Sequence, residues 1–363
     1  MRIHLDKIAS VTRTLQLGRW VTLSQEIEAC EGAVVAGRII GEKSVYNQLE
    51  DVHGRMSVVH DGDIIVGALG HRNALHGYEG VLPGEVKPGD VLHLLNLGGV
   101  IGQCVSINPD VGAPFGLEVL GQVLLFPEFG SRVGQRSTIQ SGAVKGRPGA
   151  GPIPVIYVAG TCMNSGKTHA ACALVRHFTR AGYKVGGAKL TGVSLLRDIL
   201  AMRDYGAEAV LDFTDAGVAC TGPESAARTA QVIFSELASR DLDLIVAETG
   251  DGIMGDYGVQ NVLADEALRP WAAAHVLCAN DPVGVAGGIR NLKDDYGIEV
   301  DVVTGPATDN RVGVRFVESL GLPAHNARTD PRGLGELLLA KLRPRLRSIG
   351  EDPADEVGGD EHG

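Results

Sequence analysis

Aromatic side chains are scarce: Phe, Tyr and Trp together make up 4% of the 363 residues. With so few rings for bases to stack on, and 33 Lys and Arg against 44 Asp and Glu for a net charge of −11, a general nucleic-acid binder is not expected. The chain also lacks any uncharged apolar run long enough to cross a membrane, and its opening MRIHLDKIASVTRTLQLGRW has no apolar stretch of the signal-peptide kind. Its six cysteines (30, 104, 162, 172, 220 and 278) include no C-x-x-C pair and no Cys/His cluster at zinc spacing, so they read as reduced thiols. These absences predict a cytoplasmic protein with no membrane or nucleic-acid partner. Glycine, by contrast, is abundant. Its 50 residues follow no G-X-Y period and point to many tight turns and close backbone approaches.

The length predicts two domains. Residues 1–130 read as a small, mostly β domain, with the apolar runs AVVAGRII, MSVVHDGDIIVGALG, VKPGDVLHLL and LEVLGQVLLF separated by turn residues. Asp61-Gly62-Asp63 and Lys87-Pro88-Gly89-Asp90 are expected to be hairpin turns. Residues 131–153, rich in Gly, Pro, Ser and Arg, read as a linker, and 346–363 as a disordered acidic tail. Between them, 154–345 alternates strand and helix patterns, the mark of an α/β domain with a parallel sheet. Candidate strands cover 154–160, 183–190, 209–213, 242–248, 275–280 and 299–305; Asp309-Asn310 opens a helix that ends at a glycine.

The first of these strands runs into Gly160, Thr161, Cys162, Met163, Asn164, Ser165, Gly166, Lys167 and Thr168, and then into an alanine-rich helix. A glycine-rich turn whose N–H groups face a polyphosphate, backed by the positive end of a helix, is a P-loop. Lys167 is expected to reach the β- and γ-phosphates and Thr168 to ligate Mg²⁺. Five residues separate the two glycines instead of the usual four. Lys189 closes the second strand, beside the crevice where such sheets bind ligands. Glu248 emerges from the fourth strand in Ala247-Glu248-Thr249-Gly250-Asp251-Gly252 and is the first acidic candidate for Mg²⁺, with Asp251 second. Asn280 after the fifth strand, and Asp309 and Asn310 after the sixth, lie where a base would be read; helix capping explains the last two equally well.

Residues 158–190, VAGTCMNSGKTHAACALVRHFTRAGYKVGGAKL, closely resemble the start of dethiobiotin synthetase and its relatives in the SIMIBI class of P-loop proteins. Those relatives include amidotransferase-type cobyrinate synthases and a molybdopterin-dinucleotide accessory GTPase. The resemblance implies that Lys189 contacts substrate and the transferred phosphoryl group, that an acidic Mg²⁺ ligand follows the second strand, and that the protein is a homodimer. Asp198, Asp204, Asp212 and Asp215 are all open for that ligand. Cys162 and Asn164 stand where the resembled family has acidic residues, which argues against the biotin precursor as substrate; Cys162 is also a candidate reactive thiol.

No resemblance covers the amino-terminal domain. His71 and Arg72 follow the IIVGALG strand in a glycine-bounded loop and are the candidate contacts for a small anionic substrate; a metal site from His60, His71 and His76 has no further ligand pattern behind it. This domain is expected to cover the nucleotide crevice and supply specificity. Three functions compete. The first is an ATP·Mg²⁺-dependent enzyme of ligase type that activates a carboxylate or carbamate by phosphoryl transfer. The second is a GTP-using accessory NTPase for cofactor assembly or delivery. The third is a P-loop binder of a phosphate-bearing ligand such as coenzyme A.

Overall fold

Eleven strands, most of them antiparallel, build the sheet of the amino-terminal domain. The computed structural model describes residues 1–127, 130, 133–147 and 149–346; from residue 347 on, the expected acidic tail lies outside them. The long strand Gly116–Leu125 is the hub, pairing with Trp20–Ser24, Val34–Ile40, Val91–Leu94 and Gln135–Arg136. Its register shifts at Gly121, whose φ of 151° and close approach to the Ser24 carbonyl exclude a side chain. Ile65, Leu69, Ile101 and Leu117 fill the core beneath it.

Three expectations change here. Lys87-Pro88-Gly89-Asp90 is not a hairpin turn, since Tyr78–Val81 before it pairs with Val100–Ile107 and Val91–Leu94 after it pairs with Val100–Ile107 and Gly116–Leu125. Asp61-Gly62-Asp63 is a turn but not a hairpin: the strand before it, Met56–Val58, pairs with Gln48–Glu50, and the strand after it, Ile64–Leu69, pairs with Val34–Ile40. Local turn chemistry is right, and the partners are set by burial elsewhere. The segment expected as a linker is partly structured. Gln135–Arg136 adds to the hub strand, and Ser137 and Ile139 are buried. The 3-10 helix Ile139–Gly142 packs on another at Ser10–Leu15, with Thr14 Oγ1 donating to the Ile139 carbonyl at 3.0 Å. Residues 135–142 thus pack against the amino-terminal sheet and its 3-10 helix within the stretch that composition marks as a linker.

The second domain holds six parallel strands: β1 (Val155–Gly160), β2 (Val185–Thr191), β3 (Ala209–Asp212), β4 (Leu244–Thr249), β5 (Ala272–Cys278) and β6 (Val302–Thr304). They lie in the order β3-β2-β4-β1-β5-β6. Every residue of β1, β2, β3 and β4 is buried, because helices cover both faces of the sheet. The helices are α1 (Lys167–Arg180), α2 (Arg197–Asp204), α3 (Ala226–Ala238), α4 (Val259–Ala264), α5 (Pro282–Tyr296), α6 (Arg311–Ser319) and α7 (Pro331–Leu342). Phe178 of α1, Met202 of α2 and Leu338 of α7 pack with Ile156 and Val158 on one face. Phe234 of α3 meets Tyr157 on the other, where Leu263 of α4, Leu292 of α5 and Val317 of α6 continue the core. Among the described residues, no helix is long and apolar enough to cross a membrane.

The two domains are locked together at three points. Arg13 donates to Asp212 Oδ1 and, at 3.1 Å, to Asp215 Oδ1. Glu50, fully buried, accepts from the Leu196 and Arg197 amides at 2.6 and 2.8 Å and from the Ser10 hydroxyl at 2.5 Å, so it caps the amino end of α2 from the other domain. Asn96 Nδ2 donates to the Ser194 carbonyl at 2.6 Å beside Gly98, where an added Cβ would lie 2.0 Å from that same oxygen.

Candidate functional site

The loop between β1 and α1 is wound around its own carbonyls. The Cys162 carbonyl accepts from Ser165 Oγ at 2.9 Å and from Lys167 Nζ at 2.7 Å, and Asn164 and Gly166 take left-handed backbone conformations at φ 60° and 92°. Gly160 has no room for a side chain, since a Cβ would lie 2.3 Å from Ser165 Oγ. Gly166 is the N-cap of α1 and offers no side-chain acceptor, so the first amides of a 14-residue helix are left for an anion. Lys167 is buried, and burial lowers its pKa, with Glu248 acting in the opposite sense.

Register sets the neighbours. Glu248 lies between Val158 of β1 and Lys189 of β2. Its Oε1 accepts from Thr168 Oγ1 at 3.0 Å, while its Oε2 is buried without a partner. Burial raises the Glu248 pKa, and Lys189 and Lys167 pull the other way. Lys189 is ion-paired with Asp198 at the start of α2; burial disfavours its charge, but Asp198 and Glu248 outweigh that and hold its pKa above the usual lysine range. Asp251 sits at φ 69° with its pKa raised by burial, and its carboxylate lies over Gly255, where any Cβ would collide with it.

The hydroxyl of Thr168 and the orphaned oxygen of Glu248 are the donor set that suits Mg²⁺, which keeps water and takes phosphate oxygens for its other positions. Among the described residues there is no group of three or more His, Cys, Asp or Glu able to hold a metal without such help. Glu248→Gln keeps the shape of this corner and removes its charge. It is expected to raise the Mg²⁺ requirement by about 10–100-fold, the range seen when partners of a metal site are altered, while metal-free nucleotide affinity stays near the parent's. Nucleotide titrations across a Mg²⁺ series check this, and coincident curves would remove Glu248 from the metal site.

Lys167, Thr168, Lys189, Glu248, Asp198 and Asp251 line one cleft of about 540 Å³, whose far wall is Tyr46, Arg72, His76 and Asn96 of the amino-terminal domain. Met163, Asp251 and Ala74 also border a second lobe of about 610 Å³, reached past Thr161 and Cys162. Several expected residues lie elsewhere. Asp212 and Asp215 are beneath Arg13, and burial raises the Asp212 pKa against the pull of that guanidinium. Although Asp212 is the register neighbour of Lys189, its Oδ1 is bonded to Arg13 and the Thr214 amide, so it serves the domain junction. Asn280 donates to Cys162 Sγ at 3.1 Å. Asn310 caps α6 through the Val312 and Gly313 amides, and Asp309 accepts from Asn326 at 2.9 Å. The loop they belong to backs onto the P-loop, since a Cβ on Gly305 would lie 2.4 Å from the Ser165 carbonyl. His71 is turned away from the cleft and paired with Glu31, whereas its neighbour Arg72 is in the wall. Tyr46, Asn96, Glu50 and Arg13 carry no local signal, because their partners are far away in the chain.

No family model matches the chain, and no curated protein matches it in sequence. Among solved structures it is similar to the cell division protein FtsY of Thermotoga maritima, at 19% identity over 55% of this chain and 73% of that one, with a TM-score of 0.35. Chloroplast FtsY of Physcomitrella patens matches at 18% identity over 54% and 68%, TM-score 0.34. The signal recognition particle 54 kDa protein of Aeropyrum pernix, solved with GDP, matches at 18% identity over 55% of this chain and 50% of that one, TM-score 0.34.

Proposed function

We propose that the protein is a P-loop nucleoside triphosphatase that delivers the γ-phosphoryl group of a Mg²⁺-bound nucleotide to a small molecule held in the interdomain cleft. One observation carries this reading: the residues suited to phosphate, Lys167, Thr168, Lys189 and Glu248, open into a cleft walled by the amino-terminal domain. A reacting phosphoryl group there is flanked by protein, which is the condition for transfer to an acceptor in place of loss to water. Lys167 leaves the Cys162 carbonyl for the phosphates, and Lys189 exchanges Asp198 for the transferred group, so both ammonium groups stabilise charge on its oxygens. Mg²⁺, when bound at Thr168 and Glu248, neutralises charge on the β- and γ-phosphates. The resemblance to dethiobiotin synthetase supports a carboxylate or carbamate acceptor, giving an acyl phosphate and the nucleoside diphosphate.

A GTP-using accessory role is the second reading, favoured by the exposed Asp309 carboxylate on the loop behind the P-loop, which suits the N–H groups of a guanine. Release of ADP and GDP from purified protein, with and without pools of small carboxylic acids, separates the two. Acid-dependent ADP release is the expected result; slow GTP turnover indifferent to added acids favours the accessory role, and no turnover of either nucleotide rejects both.

A further inference from the structure

Two arginines lie with largely covered side chains where the domains meet, and among the described residues Arg13 has a carboxylate counter-ion and Arg72 has none. Arg13 lies between Asp212 and Asp215. Arg72 is 4% exposed and has no carboxylate within ion-pair distance among the described residues. Its Nη1 donates to the Tyr46 hydroxyl at 2.8 Å and to the Leu95 carbonyl, and its Nε is buried without a partner. The guanidinium carbon lies 5.5 Å from the Tyr46 ring centre and 5.9 Å from that of Tyr78, so the plane is fixed by packing before any ligand arrives. Gly77 leaves the space around Nη2 open, because a Cβ there would lie 2.5 Å from that nitrogen.

A buried cation without a counter-ion is costly to keep, and a pre-oriented guanidinium is suited to binding a planar carboxylate by its two oxygens. We propose that Arg72, held by Tyr46, binds the carboxylate of a second, acidic small-molecule ligand across the cleft from Lys189. The other source of an anion here is the nucleotide's own phosphate. The observations favour the carboxylate: Lys167, Lys189 and the open end of α1 are the groups of the same cleft suited to phosphate, and the fixed plane of Arg72 matches a planar partner. This inference rests on the proposed function for what lies opposite Arg72. Its test reads binding and not turnover, so either can fail alone.

Glutarate titrated into the full-length protein by calorimetry, with and without Mg²⁺ and a non-hydrolysable ATP analogue, is expected to bind saturably in both conditions. Arg72→Gln should weaken glutarate by about tenfold or more, as loss of a charged hydrogen bond does, and leave the affinity for the ATP analogue unchanged. Arg72→Lys should recover part of the loss. Should Arg72→Gln fail to fold, Tyr46→Phe, which removes only the hydroxyl that fixes the guanidinium, is read the same way. The proposal is overturned if glutarate does not bind the parent, or if the variants bind it as the parent does. It is equally overturned if inorganic phosphate displaces glutarate at equal concentration, or if the ATP analogue is the ligand that weakens.

Discussion

Arg13→Ala is expected to lower the unfolding free energy by about 3–5 kcal/mol, the range for removing one partner of a buried ion pair. The size follows from what is left behind. Asp212 is fully buried, its Oδ2 already lacks a hydrogen-bond partner, and the register puts it next to Lys189 in the sheet. Without the guanidinium, burial alone acts on the Asp212 carboxyl and pushes its pKa further up. A group whose folded pKa is raised gives stability that is complete below its unfolded value and is lost as pH rises through the folded one. The deficit of Arg13→Ala should therefore shrink in mild acid and be largest at neutral pH. Urea unfolding at two pH values measures both. A neutral-pH loss below about 1 kcal/mol would equate the junction with an exposed ion pair. Adding Asp212→Asn and Asp215→Asn to the variant should restore much of the loss, since no uncompensated charge remains.

Lys167→Ala is expected to lower nucleotide turnover by about 10²–10³-fold, the effect of deleting one preorganised donor to a transition state. The sequence suggests a solvent-facing lysine with little packing at stake, whereas the side chain is buried and bonded to the Cys162 carbonyl. Two effects on stability then oppose each other: a hydrogen bond is lost, and so is an ammonium held in low dielectric at a lowered pKa. The melting temperature should change little, and circular dichroism and thermal unfolding check that the variant is folded. Unchanged turnover in a folded Lys167→Ala protein would remove the loop from the chemistry.

The parts of the fold legible in the chain were those in which local pattern and final environment agree. The six strands of 154–305 are mainly apolar because helices cover both faces of the sheet, with Lys189, Asp212 and Glu248 reserved for strand ends, and Asn310 caps α6 as its residue type suggests. Gly160 to Thr168 likewise lies between β1 and the start of α1. What could not be read was pairing at a distance. Asp212 looks like a strand-end metal ligand until Arg13, 199 residues earlier, is placed over it. His71 and Arg72 look like one basic pair, yet one is held by Glu31 outside the cleft and the other is locked between tyrosines in its wall. Residues 135–142 have the composition of a spacer, and only the exposed edge of the hub strand and the 3-10 helix at Ser10–Leu15 give them something to pack on.

The cap that Glu50 places on α2 also bears on how far the two halves can be exchanged. The helix carrying Asp198 begins on amides satisfied by a carboxylate 146 residues earlier, in a different domain, and Gly98 fits against Ser194 only while it has no side chain. A gene fusion that gave this P-loop domain a new amino-terminal neighbour would strip those amides and the counter-ion of Asp212 in one event. A replacement neighbour would therefore have to supply its own acceptor for the Leu196 and Arg197 amides and its own cation for Asp212.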